Sequence, residues 1–283
     1  MLSFNNNNLS DFLSKDELFA ACPHAFREEP TNPNVSGKYV QANTMTVIDD
    51  LAKLGWYPVQ AQQCREKKNS KGIRSFHMIA LQNPNIKIMK TSSDGTHSVD
   101  AYPRIIMTNS HDGFNSFKFM LGLFRVVCSN GLVVCDNQMV NMSIRHINYS
   151  FEELRKVVAS AIEQVPNIVD TMNKMRTVYL TKNQKLDFAK SMFKIRKNLE
   201  LTDNVEVSEE VLDDILTPVR KEDNRNDLWT VFNICQEKMI KGGFSAMTKN
   251  NKPRKQRGIT SIKKDMELNQ KLWNVASNYL MAA

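Results

Sequence analysis

A chain of 283 residues, 41% hydrophobic and 24% charged, is long enough for one large or two ordinary domains and has the make-up of a globular protein. Its 38 Lys and Arg against 30 Asp and Glu give a formal charge of +8, which favours a polyanionic partner without identifying one. No apolar run approaches the roughly 20 residues of a membrane span, the start MLSFNNNNLSDFLSKDE lacks the basic opening and apolar core of a signal peptide, and cysteines at 22, 64, 128, 135 and 235 make no disulfide framework, so a reducing cytoplasm is expected.

Residues 1–36 read as loosely ordered, with the Asn5–Asn8 run, Pro30 and Pro33, and one short helix at Ser14–Ala21. Lys38–Asn43 is a candidate first strand. Thr44 or Thr46 then caps a helix with Val47, Ile48, Leu51 and Leu54 on one face, stopped by Gly55 at C′ and followed by Trp56. Tyr57–Glu66 and Ser75–Gln82 read as strands joined by the basic loop Lys67–Arg74. Asp94-Gly95 predicts a turn and Tyr102–Asn109 a further strand. Ser110-His111-Asp112-Gly113 is a polar turn, after which Phe117, Phe119 and Leu121 alternate with Lys118, Met120 and Gly122. Phe124–Cys128, Ser129-Asn130-Gly131 and Leu132–Val134 then form a hairpin pattern, since Asn-Gly between β-branched runs is the strongest local hairpin signal. Arg125, inside so apolar a strand, must reach water, a carboxylate or a phosphate.

Past residue 148 the period changes. Ser150 and Glu153 form a capping box, and Phe151, Leu154, Val157, Val158, Ala161, Ile162 and Val165 recur at helical spacing until Pro166 ends or kinks the helix. Helices are predicted at Ile168–Leu180, Gln184–Leu199, Ser208–Leu216, Asp227–Lys241 and Met266–Met281, with Gly242–Thr260 a polar, basic, mobile loop. Strands first and helices afterwards predict an α+β fold: an N-terminal antiparallel sheet with one packed helix, then a mostly helical C-terminal half. The expected organisation is a loose segment 1–36, a sheet domain 37–148 and a helical region 149–283 carrying a basic loop at 242–264.

Several chemistries find little support in the residues. Cys128 and Cys135, seven apart with no paired CxxC, do not match a zinc site, and neither His97 nor His146 completes one, so neither metal nor cofactor is expected. No Gly-rich phosphate loop or Gly-x-Ser-x-Gly elbow is present. His111-Asp112 is a candidate general base with its orienting carboxylate; the competing reading is that Asp112 accepts backbone amides in a turn. Two basic clusters stand out. Arg65, Lys67, Lys68, Lys71 and Arg74 surround one predicted hairpin tip, with Trp56, Tyr57, Phe76 and His77 close by, and Lys252, Arg254, Lys255 and Arg257 lie in the C-terminal loop. Either cluster could be no more than a solvated loop. Cations along a backbone with aromatic faces between them are also what an unpaired nucleic-acid strand needs.

The segment from Thr108 to Asp136 resembles a family of phage- and plasmid-encoded proteins whose signature couples His-Asp-Gly, here His111–Gly113, to Phe-Arg-x-Val-Cys-Ser-Asn-Gly-Leu-Val-Val, here Phe124–Val134. Arg220–Asn224, Asp227-Leu228-Trp229, Asn233, Arg257–Ser261 and Leu272-Trp273 are similar to its later blocks, so the likeness covers about residues 100–280. A second stretch, Tyr39, Val47-Ile48, Leu51-Ala52, Gly55-Trp56, Gln60, Gln62 and Gln63, resembles the start of recombination annealing proteins of the Rad fifty-two superfamily with its phage relatives Erf and Red-beta. That resemblance implies rings or filaments of protomers with single-stranded DNA in a basic outer groove. By position it implies DNA contacts from Arg65, Lys67, Lys68 and Arg74, with Lys118 and Arg125 nearby.

The combined expectation is a non-enzymatic, homo-oligomeric phage or plasmid protein that binds and anneals single-stranded DNA in the host cytoplasm. A host or phage replication protein is a further expected partner. The alternatives are a nucleic-acid-processing enzyme using His111 and Asp112, and an interaction protein that targets a host factor.

Overall fold

A computed structural model describes residues 12–34, 43–65, 68–69, 72–91, 95–115, 117–126, 131–133, 143–144, 150–204, 206–247 and 253–282. Its elements bear out the α+β class. The chain divides into two compact units, Met1–Val165 and Pro166–Ala283.

Unit 1 is built on an antiparallel sheet. Its strands are β1 (Tyr57–Gln63), β4 (His77–Gln82), β5 (Ile88–Thr91), β6 (His97–Asn109), β7 (Phe117–Arg125), β8 (Gly131–Val133) and β9 (Ser143–Ile144), with β2 (Lys68–Asn69) and β3 (Gly72–Ile73) forming a separate small ribbon. The spatial order is β1-β4-β6-β7-β8, with β5 on β6 and β9 on β7. The strand predicted from Tyr102 begins five residues earlier, because β6 pairs with β5 as well as with β4 and β7. The hairpin read from Ser-Asn-Gly is present as Leu123 opposite Leu132 and Phe124 opposite Gly131; residues 127–130 of its turn lie outside the described residues.

One face of this sheet carries Ile79, Leu81, Ile105, Met107, Phe117 and Phe119. These pack with Leu18 of α1 (Lys15–Ala21), with Val47, Ile48 and Leu51 of α2 (Thr44–Lys53), with Trp56, and with Leu154 and Val158. The apolar positions of α2 fall on one side because they recur at three and four residues. Ser14 and Glu17 close a capping box at α1. At α2 the cap is Asn43, not Thr44 or Thr46: its Oδ1 accepts the Met45 and Thr46 amides at 2.8 and 3.4 Å. Gly55, at φ 82°, ends α2 in the left-handed conformation that its position requires. The alternation expected along β7 holds only for Lys118, which is exposed. Met120 and Phe124 on the second face are buried too, and the buried Arg104 lays its guanidinium over the Phe124 ring at 4.1 Å. The strand proposed at Lys38–Asn43 lies, except for Asn43, outside the described residues.

Helix α3 (Phe151–Thr177) runs on through Pro166, where the sequence predicts an end or a kink, so Ile168–Leu180 is not a separate helix. Proline there removes one backbone bond, to the carbonyl of Ile162. Both Pro166 and Ile162 are exposed, so the lost bond lies on the solvent side of the helix rather than in the core.

Unit 2 packs α4 (Lys182–Arg196), α5 (Glu209–Leu216), α6 (Leu228–Lys241) and α7 (Ile262–Ala282) around Phe188, Met192, Leu228, Phe232, Met239 and Leu272. Trp273 stands edge-on to Trp229 and Phe232, with ring centroids 6.4 and 5.9 Å away. Residues 248–252 lie outside the described residues, and most of the described residues of 242–264 are not loop. They form an antiparallel ribbon of β10 (Gly242–Met247) and β11 (Pro253–Arg257), and α7 begins at Ile262, four residues before the predicted start. The cause is side-chain alternation: Gly242, Phe244 and Ala246 are buried while Gly243 and Ser245 are exposed. Gly242, at φ 71°, turns α6 directly into β10, where any side chain would strike the Gln256 carbonyl oxygen.

Candidate nucleic-acid interface

Each unit carries an antiparallel ribbon with basic residues on it. In unit 1 the root of β2–β3 is set by Cys64, whose amide donates to Phe76 O at 2.8 Å, and Ile73 of β3 donates its amide to Thr31 O at 3.1 Å. Arg65 and Arg74 flank that root and are both exposed. Lys67 and Lys71 lie outside the described residues, as does the side chain of Lys68. Lys118 is exposed on β7, and Arg125 is half-buried at the end of that strand, opposite Ala101, where part of it still reaches water.

In unit 2 the sequence-predicted Arg254, Lys255 and Arg257 are all exposed on β11, while Lys252 lies outside the described residues. The fold adds two cations that the sequence does not single out, Arg196 and Lys197, at the C-terminal end of α4. Arg196 Nη2 donates to Arg257 O at 2.8 Å, and Lys197 Nζ donates to Gln256 Oε1 at 2.7 Å. Burial lowers the pKa of Arg196, and that of Lys197 is lowered by burial first and by the Arg196 charge second. Together with Gln256 and Gly258 these five cations line a cleft of about 420 Å³. Nothing local in the sequence announces the pairing, since about 60 residues separate its two sides.

His111 and Asp112 sit in a buried polar cluster rather than on a surface. Asp112 Oδ1 accepts Ser110 Oγ at 2.6 Å and the Phe114 amide at 3.1 Å, which is the turn reading. His111 turns instead to the Thr44 hydroxyl, 3.2 Å from its Nε2, and His77 Nε2 approaches the same oxygen at 3.0 Å. The two imidazoles stack with centroids 5.2 Å apart, and Asn109 Nδ2 donates to Thr44 at 3.0 Å. A hydroxyl has one proton and two lone pairs. His77 Nδ1 faces the Ser75 carbonyl at 2.8 Å and must carry a proton, so in the neutral ring the bare Nε2 accepts the Thr44 proton. Asn109 takes one lone pair, and His111 Nε2–H donates into the other. Ser75 Oγ in turn accepts the His111 amide at 2.7 Å, and Asn32 Nδ2 donates to Asp112 O at 3.0 Å. His77 and Thr44 therefore complete this cluster, and no local signal joins either of them to His111.

The later motif blocks hold unit 2 together. Arg220 grips Glu237 through both Nη atoms at 2.5 and 2.7 Å and also reaches Asp223. Burial alone would raise the Glu237 pKa, but Arg220 and Lys241 hold it below the ordinary carboxylate value. Asp227 caps α6 through the Thr230 amide at 3.0 Å. Gly258 lets β11 pass against Lys241 O, where a Cβ would come within 2.9 Å. Cys22 and Cys235 are buried, with thiols pushed up to about 12 by burial; Cys128 and Cys135 lie outside the described residues. Among the described residues no helix is long and apolar enough to cross a membrane.

With this α+β architecture in view, the chain belongs to the family described as Domain of unknown function (DUF932), which matches residues 34–273. It is similar to two curated proteins of Escherichia coli (strain K12), UPF0380 protein YafZ and UPF0380 protein YfjQ. Each is 29% identical over 271 residues, covering 95% of this chain and 92% of the relative. No solved structure matches.

Proposed function

We infer that this protein binds single-stranded nucleic acid through its phosphates and promotes the pairing of complementary strands, without making or breaking a covalent bond. The observation that carries the reading is the pair of basic ribbons, one on each unit, with Arg65 and Arg74 exposed at the root of the first and Arg254, Lys255 and Arg257 exposed on the second. Lys and Arg that neutralise phosphates release counterions, which favours binding without reference to base sequence. A strand held by its backbone keeps its base edges free, and pairing supplies the free energy for annealing. The helix ending at Gly55-Trp56 and feeding β1 agrees with the likeness of that stretch to annealing proteins. On the same reading the protein works as a homo-oligomer in the host cytoplasm, as part of phage or plasmid recombination or replication.

The test is an anisotropy titration of labelled single and double strands at two or more salt concentrations, followed by a two-strand annealing assay. Single-strand binding should weaken with salt at a log–log slope of roughly −0.7 per phosphate neutralised. Annealing should be faster with protein and leave both strands intact. Absent or salt-independent binding would overturn the reading, and strand cleavage in Mg²⁺ or Mn²⁺ would favour an enzyme instead.

A further inference from the structure

We propose that the cleft between the C-terminal end of α4 and β11 is a phosphate-binding site, in which the Arg196 guanidinium and the Lys197 ammonium take one phosphate group and Arg254, Lys255 and Arg257 take those beside it. The identity of the phosphate's owner, a nucleic-acid backbone, rests on the proposed function; the site itself does not.

Three observations carry the proposal. The first is the lining: Arg196, Lys197, Arg254, Lys255 and Arg257 share the cleft with only Gln256 and Gly258, and no carboxylate is among them. Surface cations in proteins usually meet acidic neighbours. Here the two inner cations are anchored to neutral acceptors, Arg196 to the Arg257 carbonyl and Lys197 to the Gln256 side chain. Their charges stay uncompensated while their positions are fixed.

The second is an orphaned donor. Arg196 Nε is buried with no hydrogen-bond partner. Leaving a buried N–H unpaired costs about 1–3 kcal/mol, a cost that a small rearrangement onto a bound oxyanion would relieve. The guanidinium is planar with five N–H donors, so with one Nη2 proton committed to the Arg257 carbonyl it keeps others for a phosphate, in a fixed fork that a lysine at this position could not supply.

The third is preorganisation. The C-cap residue Lys197 and the positive φ of Asn198 end α4 beside the ribbon, and the α4 carbonyl end favours cations there. Phe193, buried beneath, meets Phe244 of β10 at 6.2 Å and lies 5.4 Å from Lys197 Nζ. The lowered pKa values of Arg196 and Lys197 agree with charges placed close together and partly out of water.

The experiment compares the full chain with Arg196→Lys, Lys255→Glu and the control Lys271→Glu, an exposed cation of α7 that does not line the cleft. Two probes are used: a labelled oligothymidylate in anisotropy, and inorganic tripolyphosphate in thermal-shift titrations. Arg196→Lys keeps the charge but loses the fork, and Lys255→Glu touches none of the anchoring bonds, so it guards against a misfolded ribbon. Each should weaken both probes by about tenfold, the ordinary loss for one charge-assisted contact, while Lys271→Glu changes either probe by less than about twofold. If the oligonucleotide binds and the two cleft variants behave like the control, the cleft proposal is overturned while the ribbon reading stands. If tripolyphosphate stabilises the wild type alone and the oligonucleotide does not bind, the cleft stands as a phosphate site and the nucleic-acid reading falls. If neither probe binds the wild type, both fall.

Discussion

The two ribbons differ in how they are held. Among the described residues, β2–β3 is tied to unit 1 by backbone bonds, Cys64 to Phe76 and Ile73 to Thr31, and its root carries one weak side-chain contact, Cys64 Sγ to the Arg74 carbonyl at 3.7 Å. The β10–β11 ribbon has side-chain anchors as well: Phe244 is buried, Ser245 N donates to Asp214 Oδ2 at 2.9 Å, and α4 reaches over with Arg196 and Lys197. Equal charge therefore does not mean equal use. Cations already fixed lose little side-chain freedom when they meet a phosphate, and so contribute more to affinity. Cations held only at the backbone raise the encounter rate and respond most to salt.

Five variants probe these anchors, in order of expected effect on stability. The largest effect is expected from Phe244→Ala, which removes a fully buried ring from beneath β10. A loss of about 3–5 kcal/mol in urea unfolding is expected, together with the phosphate affinity of the cleft. An unchanged midpoint would show that the ribbon is not anchored as described. Next is Thr44→Val, which keeps the side-chain shape but leaves Asn109 Nδ2 and both imidazole Nε2 atoms without their shared oxygen. Unit 1 should lose about 2–4 kcal/mol, while tripolyphosphate binding at the cleft remains.

Asp265→Asn tests the first turn of α7. Burial raises the Asp265 pKa from 3.8 to about 6, against the lowering effect of the Asn269 bond. A carboxyl raised in the folded state favours the protonated protein, so its stabilising contribution is complete below pH 3.8 and is lost as pH rises through 6. The amide of the D265N variant would keep an acceptor for Asn269 and carry no charge. The variant should therefore be more stable than wild type at pH 7 by up to about 3 kcal/mol, since a tenfold change in proton affinity corresponds to roughly 1.4 kcal/mol. Near pH 3.5 (roughly the unfolded carboxyl's own range) the two should be equal. Parallel melting curves at the two pH values decide. The smallest change in stability belongs to the paired reversals Arg65→Glu/Arg74→Glu and Arg254→Glu/Lys255→Glu, all exposed, each within about 0.5 kcal/mol of wild type. Their binding separates them: the first pair should mainly slow association at low salt, and the second should mainly speed dissociation, as stopped-flow traces would record.

Much of the scaffold is readable from residue order. The Ser-Asn-Gly hairpin, the stop at Gly55 and the switch to helical period after residue 148 are local signals, and the fold obeys them. The β10–β11 ribbon is hidden because Gly242, Gly243, Thr248 and the lysines around them look like loop composition. The alternation of Phe244 and Ala246 is the one usable sign of a strand, and it spans too few residues to stand out. Pro166 misleads for the opposite reason. A proline ends a helix when its neighbours need the lost bond, and here they face water. Of the two candidate sites, the individual cations of β11 are legible, but their meeting with Arg196 and Lys197 is not. The link among Thr44, His77 and His111 is equally invisible, since tertiary contacts across 33 and 67 positions leave no periodic trace.

The Thr44 oxygen has one further consequence. Because its proton and both lone pairs are committed, the start of α2, the strand β4 and the bend after β6 have no independent way to open. Releasing any of them strands donors or acceptors in the other two. These three pieces should therefore behave as a single cooperative block, with the amides of Val47, Ile79 and His111 exchanging with deuterium at one common opening free energy.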